Sequence, residues 1–261
     1  MIGQDTIQAP YQSAGTLIGI EPVIEISDLS VSFGPQEVLK KISLRVLKNE
    51  NLVIVGKSGT GKSVLIKCIA GLISTYSGRV TVLGQDVKSL KRKQLNLLRQ
   101  KLGFLFQNGA LYDSMTVREN LEFPLRRIRK GMTEEQISRK VVEALSSVGL
   151  VNAIKKLPSE LSGGMRKRAS LARSIIVDPL IILYDEPTTG LDPATSEEIS
   201  VLINDIRRKY NTSSVIITHD IKCACATADR IIMLKEGNIY AEGNCEDFED
   251  SADPFIRSFF S

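Results

Sequence analysis

Eight residues, Gly56-Lys57-Ser58-Gly59-Thr60-Gly61-Lys62-Ser63, stand between an apolar run, Leu52-Val53-Ile54-Val55, and a segment of helical character from Val64 to Leu72. The apolar run reads as a buried parallel strand. The three glycines let the backbone curl until successive N–H groups point at one anion, and the start of the helix adds its partial positive charge. Lys62 supplies a point charge for β/γ-phosphates, and the Ser63 hydroxyl is a ligand for Mg²⁺. Between a strand and a helix, the full pattern predicts a phosphate-binding loop and commits the chain to an α/β core.

With 43% apolar and 25% charged residues in 261, the chain has the make-up of an ordinary soluble globular protein. That length can bury one sizeable core with an inserted subdomain. The net charge of +4 argues neither for nor against a polyanionic partner. No apolar run approaches the roughly 20 residues that a membrane-spanning helix needs. Residues 1–21 lack the basic start and long apolar stretch of a secretory leader and read as a flexible extension. A cytosolic protein is expected, with any membrane role coming through a partner or the bilayer surface. Cys68 falls in the helix after the phosphate loop and reads as a buried small apolar residue. Cys223, Cys225 and Cys245 are open to two readings, a metal site or reduced structural thiols, and their spacing favours thiols.

Val23 to Ser27, Val38 to Val46 and Gly78 to Leu83 alternate apolar and polar residues, as half-buried antiparallel strands do. Leu102 to Phe106 is a short apolar strand ending at Gln107. From Asn108 to about Arg168 the pattern is helical. Thr116 with Glu119, and Thr133 with Gln136, form N-capping pairs, and Val141, Leu145 and Val148 share one face. Strand and helix then alternate, with strands at Leu180 to Tyr184, Val215 to Thr218 and Arg230 to Leu234 and a helix from Ala194 to Tyr210. Such alternation predicts a parallel sheet with helices on both faces. The expected fold is α/β: a P-loop NTPase core with a mostly parallel sheet, an N-terminal antiparallel β-subdomain, and an inserted α-helical subdomain at about 108–168.

The strand Leu180-Ile181-Ile182-Leu183-Tyr184 ends in two carboxylates, Asp185 and Glu186. At a strand's C-terminal edge Asp185 can hold Mg²⁺ through water, and Glu186 can polarise the attacking water. His219, the single histidine, follows the strand Val215-Ile216-Ile217-Thr218 and so reaches the same ligand edge. With Asp220 behind it, His219 reads as a group hydrogen-bonding the γ-phosphate and Glu186. Gln107 ends its own strand similarly, and its amide can reach Mg²⁺ or the water. Leu161-Ser162-Gly163-Gly164-Met165 precedes a helix rich in arginine and alanine, Arg166 to Val177, and makes a second anion-binding helix start. A second phosphate grip makes sense if two copies pack head-to-tail with each ATP between them.

In this order, Walker A (56–63), Gln107, the Leu161–Met165 signature, Walker B (180–186) and His219 resemble the ATPase subunit of an ABC transporter over about residues 22–245. The resemblance implies a homodimer that binds ATP and Mg²⁺ and hydrolyses ATP, with Lys62, Gln107, Glu186 and His219 as its catalytic groups. It implies ATP contacts from Gly56, Lys57, Ser58, Gly59, Thr60, Gly61, Lys62, Ser63 and Val64. Phe33, in Val31-Ser32-Phe33-Gly34, would stack on adenine; the other reading is a core aromatic. Ser63, Gln107 and, through water, Asp185 would hold Mg²⁺. Ser162, Gly163 and Gly164 would contact the γ-phosphate bound to the other copy, and Asp192 of Gly190-Leu191-Asp192 would face that copy. Met165 departs from the usual glutamine, but the expected contacts come from Ser162 and backbone N–H groups.

Phe106 to Asn120, with Phe123-Pro124-Leu125, is similar to the ATPases of Mla/Mce-type phospholipid transport systems of double-membraned bacteria. So are Pro158 to Met165 and the ending Asp253-Pro254-Phe255-Ile256-Arg257-Ser258-Phe259-Phe260, and Met165 is usual in that branch. The likeness implies phospholipid movement between membranes by a peripheral subunit at the cytoplasmic face of the inner membrane. It also implies an integral permease docked near Asn108–Leu125 and accessory or lipid-binding MCE-type proteins, with no nucleic acid. Leu111, Tyr112 and Met115 read as exposed for that docking, or else as core. Arg126-Arg127-Ile128-Arg129-Lys130 reads as a solvated face or a contact for anionic headgroups. In the short tail at 246–261, Phe255, Ile256, Phe259 and Phe260 make an amphipathic helix end that can pack on its own subunit or on a partner. Each buried CH₂ is worth about 0.8 kcal/mol, so acyl chains need a shielded route, and this chain is expected to supply work. Amino-acid uptake, lipoprotein release, an ABC-type switch or scaffold, and a phosphate-loop kinase are the competing readings.

Overall fold

The computed structural model describes residues 21–107 and 109–260. Strands β3 (Asn51–Val55), β6 (Leu102–Leu105), β7 (Ile181–Asp185), β8 (Ser213–Ile217) and β9 (Arg230–Lys235) pair in parallel. An antiparallel edge strand, β10 (Asn238–Gly243), completes the order β10-β9-β3-β8-β7-β6. Every residue of β3 and β8 is buried, as happens when both faces of a parallel sheet are covered. Period-two alternation decides which face each residue serves. Val53, Val55, Ile182, Tyr184, Ile216, Ile231 and Met233 pack into one apolar cluster, while Leu52, Ile54, Ile181, Leu183, Val215, Ile217, Ile232 and Leu234 pack into another.

The second cluster is closed by α1 (Lys62–Ile69) and by an antiparallel sheet in the order β2-β1-β4-β5. Its strands are β1 (Ile24–Phe33), β2 (Gln36–Val46), β4 (Ser77–Val82) and β5 (Gln85–Asp86). β1 runs well past the expected 23–27. Register shifts around Leu29, with Asp28 at φ 50°, break the alternation by which a strand is recognised. The helix α2 (Arg92–Arg99) has a weak sequence signal, because only Leu98 of it is buried and its apolar stripe is correspondingly thin.

The first cluster is closed by α3 (Val117–Ile128), α4 (Glu134–Ser147), α5 (Gly163–Ile175) and α6 (Pro193–Tyr210). Both expected capping pairs form, Thr116 with Glu119 and Thr133 with Gln136. Each is worth about 1 kcal/mol to its helix. Val141, Leu145 and Val148 are fully buried, as their spacing requires. α5 starts earlier than the expected Arg166: Ser162 is its N-cap, accepting from Met165 N at 3.3 Å, and the two glycines form its first turn.

α7 (Ile221–Thr227) precedes β9, and α8 (Cys245–Glu249) and α9 (Pro254–Phe260) follow β10. α9 packs on its own subunit, with Ile256 buried, Phe259 5.3 Å from Phe255, and Phe260 stacked on Phe248 at 5.2 Å. The reading of Cys225 and Cys245 as reduced thiols is overturned. They form a disulfide, with Cα atoms 5.2 Å apart, across a separation of 20 residues that gives no hint of it. Cys68 and Cys223 are free and buried. The expected extension lies, except for Glu21, outside the described residues, as does Asn108. No helix among the described residues is long and apolar enough to cross a membrane.

Candidate nucleotide site

The C-terminal ends of β3, β6, β7 and β8 meet at a cleft of about 660 Å³. Gly56, Gly59 and Gly61 turn the phosphate loop at φ 151°, 81° and 99°. A Cβ on Gly56 would lie 2.5 Å from the Leu234 carbonyl oxygen, so no larger residue fits there, and one on Gly61 would lie 2.5 Å from Leu39 Cδ2 on a backbone that already favours glycine. The Thr60 hydroxyl closes the loop on the Lys57 carbonyl at 2.9 Å. Lys62 Nζ donates to the carbonyls of Gly56 at 2.7 Å and Lys57 at 3.0 Å. Burial pushes its pKa down, while the charges of Glu186 and Asp185 pull it up.

Ser63 Oγ lies 3.3 Å from Asp185 Oδ1. Burial pushes the Asp185 carboxyl up; the Ser63 hydrogen bond opposes this and the Glu186 charge adds to it. Two adjacent hard oxygens, one an anion disfavoured by burial, are a donor set that fits a small divalent cation such as Mg²⁺. Gln107 lines the same cleft.

Glu186, the next residue, has φ 53°. That conformation costs about 1–3 kcal/mol outside glycine and persists only where surroundings over-determine it. Here the Glu186 N–H donates to Ile217 O at 2.9 Å, and Oε2 accepts from Thr189 Oγ1 at 3.0 Å and meets His219 Nδ1 at 2.8 Å. The carboxylate is nearly buried, whereas the His219 ring is 59% exposed towards solvent. Asp220 caps α7, accepting from Cys223 N at 3.1 Å, and accepts from Thr188 Oγ1 at 2.9 Å, which ties the histidine loop to the strand carrying Glu186. The arrangement can orient a water beside a phosphoryl group and take up its proton.

Phe33 is 49% exposed at the end of β1, so it is no core aromatic, but it is not among the residues lining the cleft. Ser258 and Phe259 of α9 line it instead, a contribution with no signal in the local sequence. Lys167 was also missed. In a helix rich in basic residues it reads as a solvent-facing lysine, yet it is buried and donates to the Gln107 and Glu186 carbonyls.

Ser162, Gly163 and Gly164 line a second cleft of about 630 Å³ with Gly190, Leu191 and Asp192, and it shares no residue with the first. A Cβ on Gly164 would lie 2.6 Å from Thr195 Cγ2, so the glycine lets α5 and α6 touch. Asp192 caps α6, accepting from Thr195 N at 3.0 Å and Thr195 Oγ1 at 2.6 Å. The Thr195 hydroxyl holds that carboxyl below its ordinary range.

Beyond Gln107, the buried Asn120 side chain folds the next loop. Its Oδ1 accepts from Tyr112 N at 2.7 Å, and its Nδ2 donates to the carbonyls of Tyr112 and Met115 at 3.1 and 3.0 Å. Of the three side chains read as exposed, only Tyr112 is so. Leu111 and Met115 are partly buried, Leu111 against the first cluster.

The family model described as "ABC transporter" matches residues 39–189. A probable ribonucleotide transport ATP-binding protein of Mycobacterium tuberculosis is 40% identical over 91% of this chain, which spans 66% of that relative's length. The intermembrane phospholipid transport system ATP-binding protein MlaF of Haemophilus influenzae is 36% identical over 91% of this chain and 89% of its own length. A solved dimeric ATP-binding cassette in a post-hydrolysis state, bound to ADP and Pi, superposes with a TM-score of 0.78 at 31% identity, covering 85% of this chain and 98% of that one. Matched over more than half its length and folded as such a cassette, the chain belongs to the ABC transporter family, among its ATP-binding ATPase subunits.

Proposed function

We propose that the chain is the ATP-hydrolysing motor of a phospholipid transporter, acting as a homodimer on the cytoplasmic face of a membrane permease. The observation that carries the motor reading is the meeting of Lys62, Ser63, Asp185, Glu186 and His219 at one sheet edge. Lys62 exchanges its loop carbonyls for β- and γ-phosphate oxygens. Glu186, fixed by His219 and Thr189, polarises the attacking water, and the exposed His219 ring hydrogen-bonds the γ-phosphate. Ser63, Gln107 and, through water, Asp185 would hold Mg²⁺, which when bound would offset the negative charge that builds up on the phosphates. Phe33 is exposed enough to stack on adenine. Because the signature lines a separate cleft, its phosphate grip needs a second copy, with Asp192 beside it; the dimeric solved cassette supports that pairing.

Phospholipid cargo is supported by likeness to MlaF over most of that protein's length. An exposed aromatic pair, Tyr112 and Phe123 with rings 5.2 Å apart, suits a permease helix beside Gln107. The basic run does not add to this. Arg126 is paired with Glu122 and Glu134, and Arg129 with Asp178, which favours a solvated face. The similarly close relative named for ribonucleotide transport favours a second cargo. Capture of the tagged chain from membranes, with mass spectrometry of bound proteins and lipids, tests the reading. An integral permease, an MCE-type protein and phospholipid that stimulates hydrolysis are expected. Stimulation by ribonucleotide or amino acid alone overturns the cargo; recovery of soluble partners only overturns the motor.

A further inference from the structure

One face of α5 grips the loop after β6 through contacts that none of these roles uses. Lys167 is 6% exposed, and its Nζ donates to Gln107 O at 2.6 Å and to Glu186 O at 3.0 Å. Three residues on, Ser170 Oγ would lie 2.6 Å from a Cβ on Gly109, so the loop lies against the helix as closely as glycine permits. Three further, Arg173 donates to the Ala110 carbonyl and lies over the Tyr112 ring at 5.0 Å. Spacing by threes puts all of these on one side of the helix.

The clamped backbone is under strain at Ala110 and Glu186, which have φ of 50° and 53°. Such conformations at Ala and Glu need surroundings that enforce them. An ammonium is a costly group to bury unless hydrogen-bonded, and an apolar side chain would fill the space at less cost. The ammonium adds a fixed tie between two carbonyls carried by different strands.

We propose that Lys167 is a positioning residue for hydrolysis: through the Gln107 and Glu186 carbonyls it sets the spacing of two side chains flanking the γ-phosphate and hangs both on the helix capped by Ser162. The proposal rests on the motor reading of Glu186 and Gln107 and is independent of the cargo. Because α5 begins at the signature, seating that helix on the other copy's nucleotide and setting this copy's Glu186 become one event.

The test compares Lys167→Met, which keeps volume and loses the donors, with Lys167→Gln, whose amide donates to two carbonyls, in the full chain with its membrane partner. Turnover, KM, binding of a fluorescent ATP analogue and thermal unfolding are measured. In Lys167→Met, kcat should fall about 30-fold, equivalent to about 2 kcal/mol. KM and analogue affinity should stay within about threefold, and Lys167→Gln should recover most of the loss. Unchanged kcat overturns the proposal, as does a loss of binding, melting temperature and turnover together that Lys167→Gln does not repair. If Lys167→Met does not fold, Arg173→Gln loosens the other end of the clamp; it should lower kcat several-fold with KM held, and unchanged kcat overturns the proposal. Glu186→Gln in the same preparation separates the two levels: full turnover there indicts the site assignment and not the clamp.

Discussion

Asp185 carries the clearest conflict at the residue scale. Its folded-state pKa is raised, so its protonated form favours the folded chain. That contribution is present below the unfolded value and is lost as pH rises through the folded one. Above the folded value the metal-free protein holds an unfavourable charge there. Asp185→Asn should raise the melting temperature in chelator by about 2 °C while lowering Mg²⁺-dependent hydrolysis at least about 100-fold. A lower melting temperature in calorimetry would show that this carboxylate is not held under strain. Asp185, Glu186 and His219 were legible in the sequence because each ends a hydrophobic run, and parallel strands bring such ends to one edge. Lys167 was not, because its neighbours in the chain are Arg166 and Arg168, and only packing separates a buried lysine from exposed basic residues.

The docking of α9 turns on a single carboxylate at the scale of elements. Asp253 Oδ1 accepts from the N–H groups of Phe255 at 2.7 Å and Ile256 at 3.0 Å, while Oδ2 accepts from the Tyr240 hydroxyl at 2.7 Å. The Tyr240 hydrogen bond holds that carboxyl below its ordinary range. A depressed pKa contributes stability above the unfolded value, and this is lost as pH falls through the folded one. Hydrogen exchange across residues 254–260, corrected for intrinsic rate, should accelerate as pH falls below about 4. Tyr240→Phe should move that release to higher pH; no movement would leave the tyrosine without a part in holding the helix. Elements with a strong period, such as α4, or a continuous apolar run, such as Val215 to Ile217 of β8, are recognisable from sequence. β10 is not, since none of its residues is fully buried and it lies at the sheet edge.

The separation of the two clefts decides the logic of the whole molecule. Phosphate loop and signature line different cavities of one chain, and under the proposed function one ATP would meet both across two copies. Glu186→Gln with ATP should run as a dimer in light scattering. Adding Ser162→Arg, which also removes an α5 cap worth about 1 kcal/mol, should return it to a monomer that still binds nucleotide. Dimers of undiminished strength would place the signature outside the seam.

Neighbouring residues alone were enough to specify the phosphate loop, because positive φ, close approach and a helix start are all satisfied within a few positions of one another. The same holds for the two capping boxes and the buried strands. Three-dimensional packing was needed to pair Cys225 with Cys245, to bring Phe259 to the nucleotide cleft and to place Lys167 between Gln107 and Glu186. Those contacts depend on which elements become neighbours, and residue spacing along a chain carries the period of an element without the identity of what it packs against.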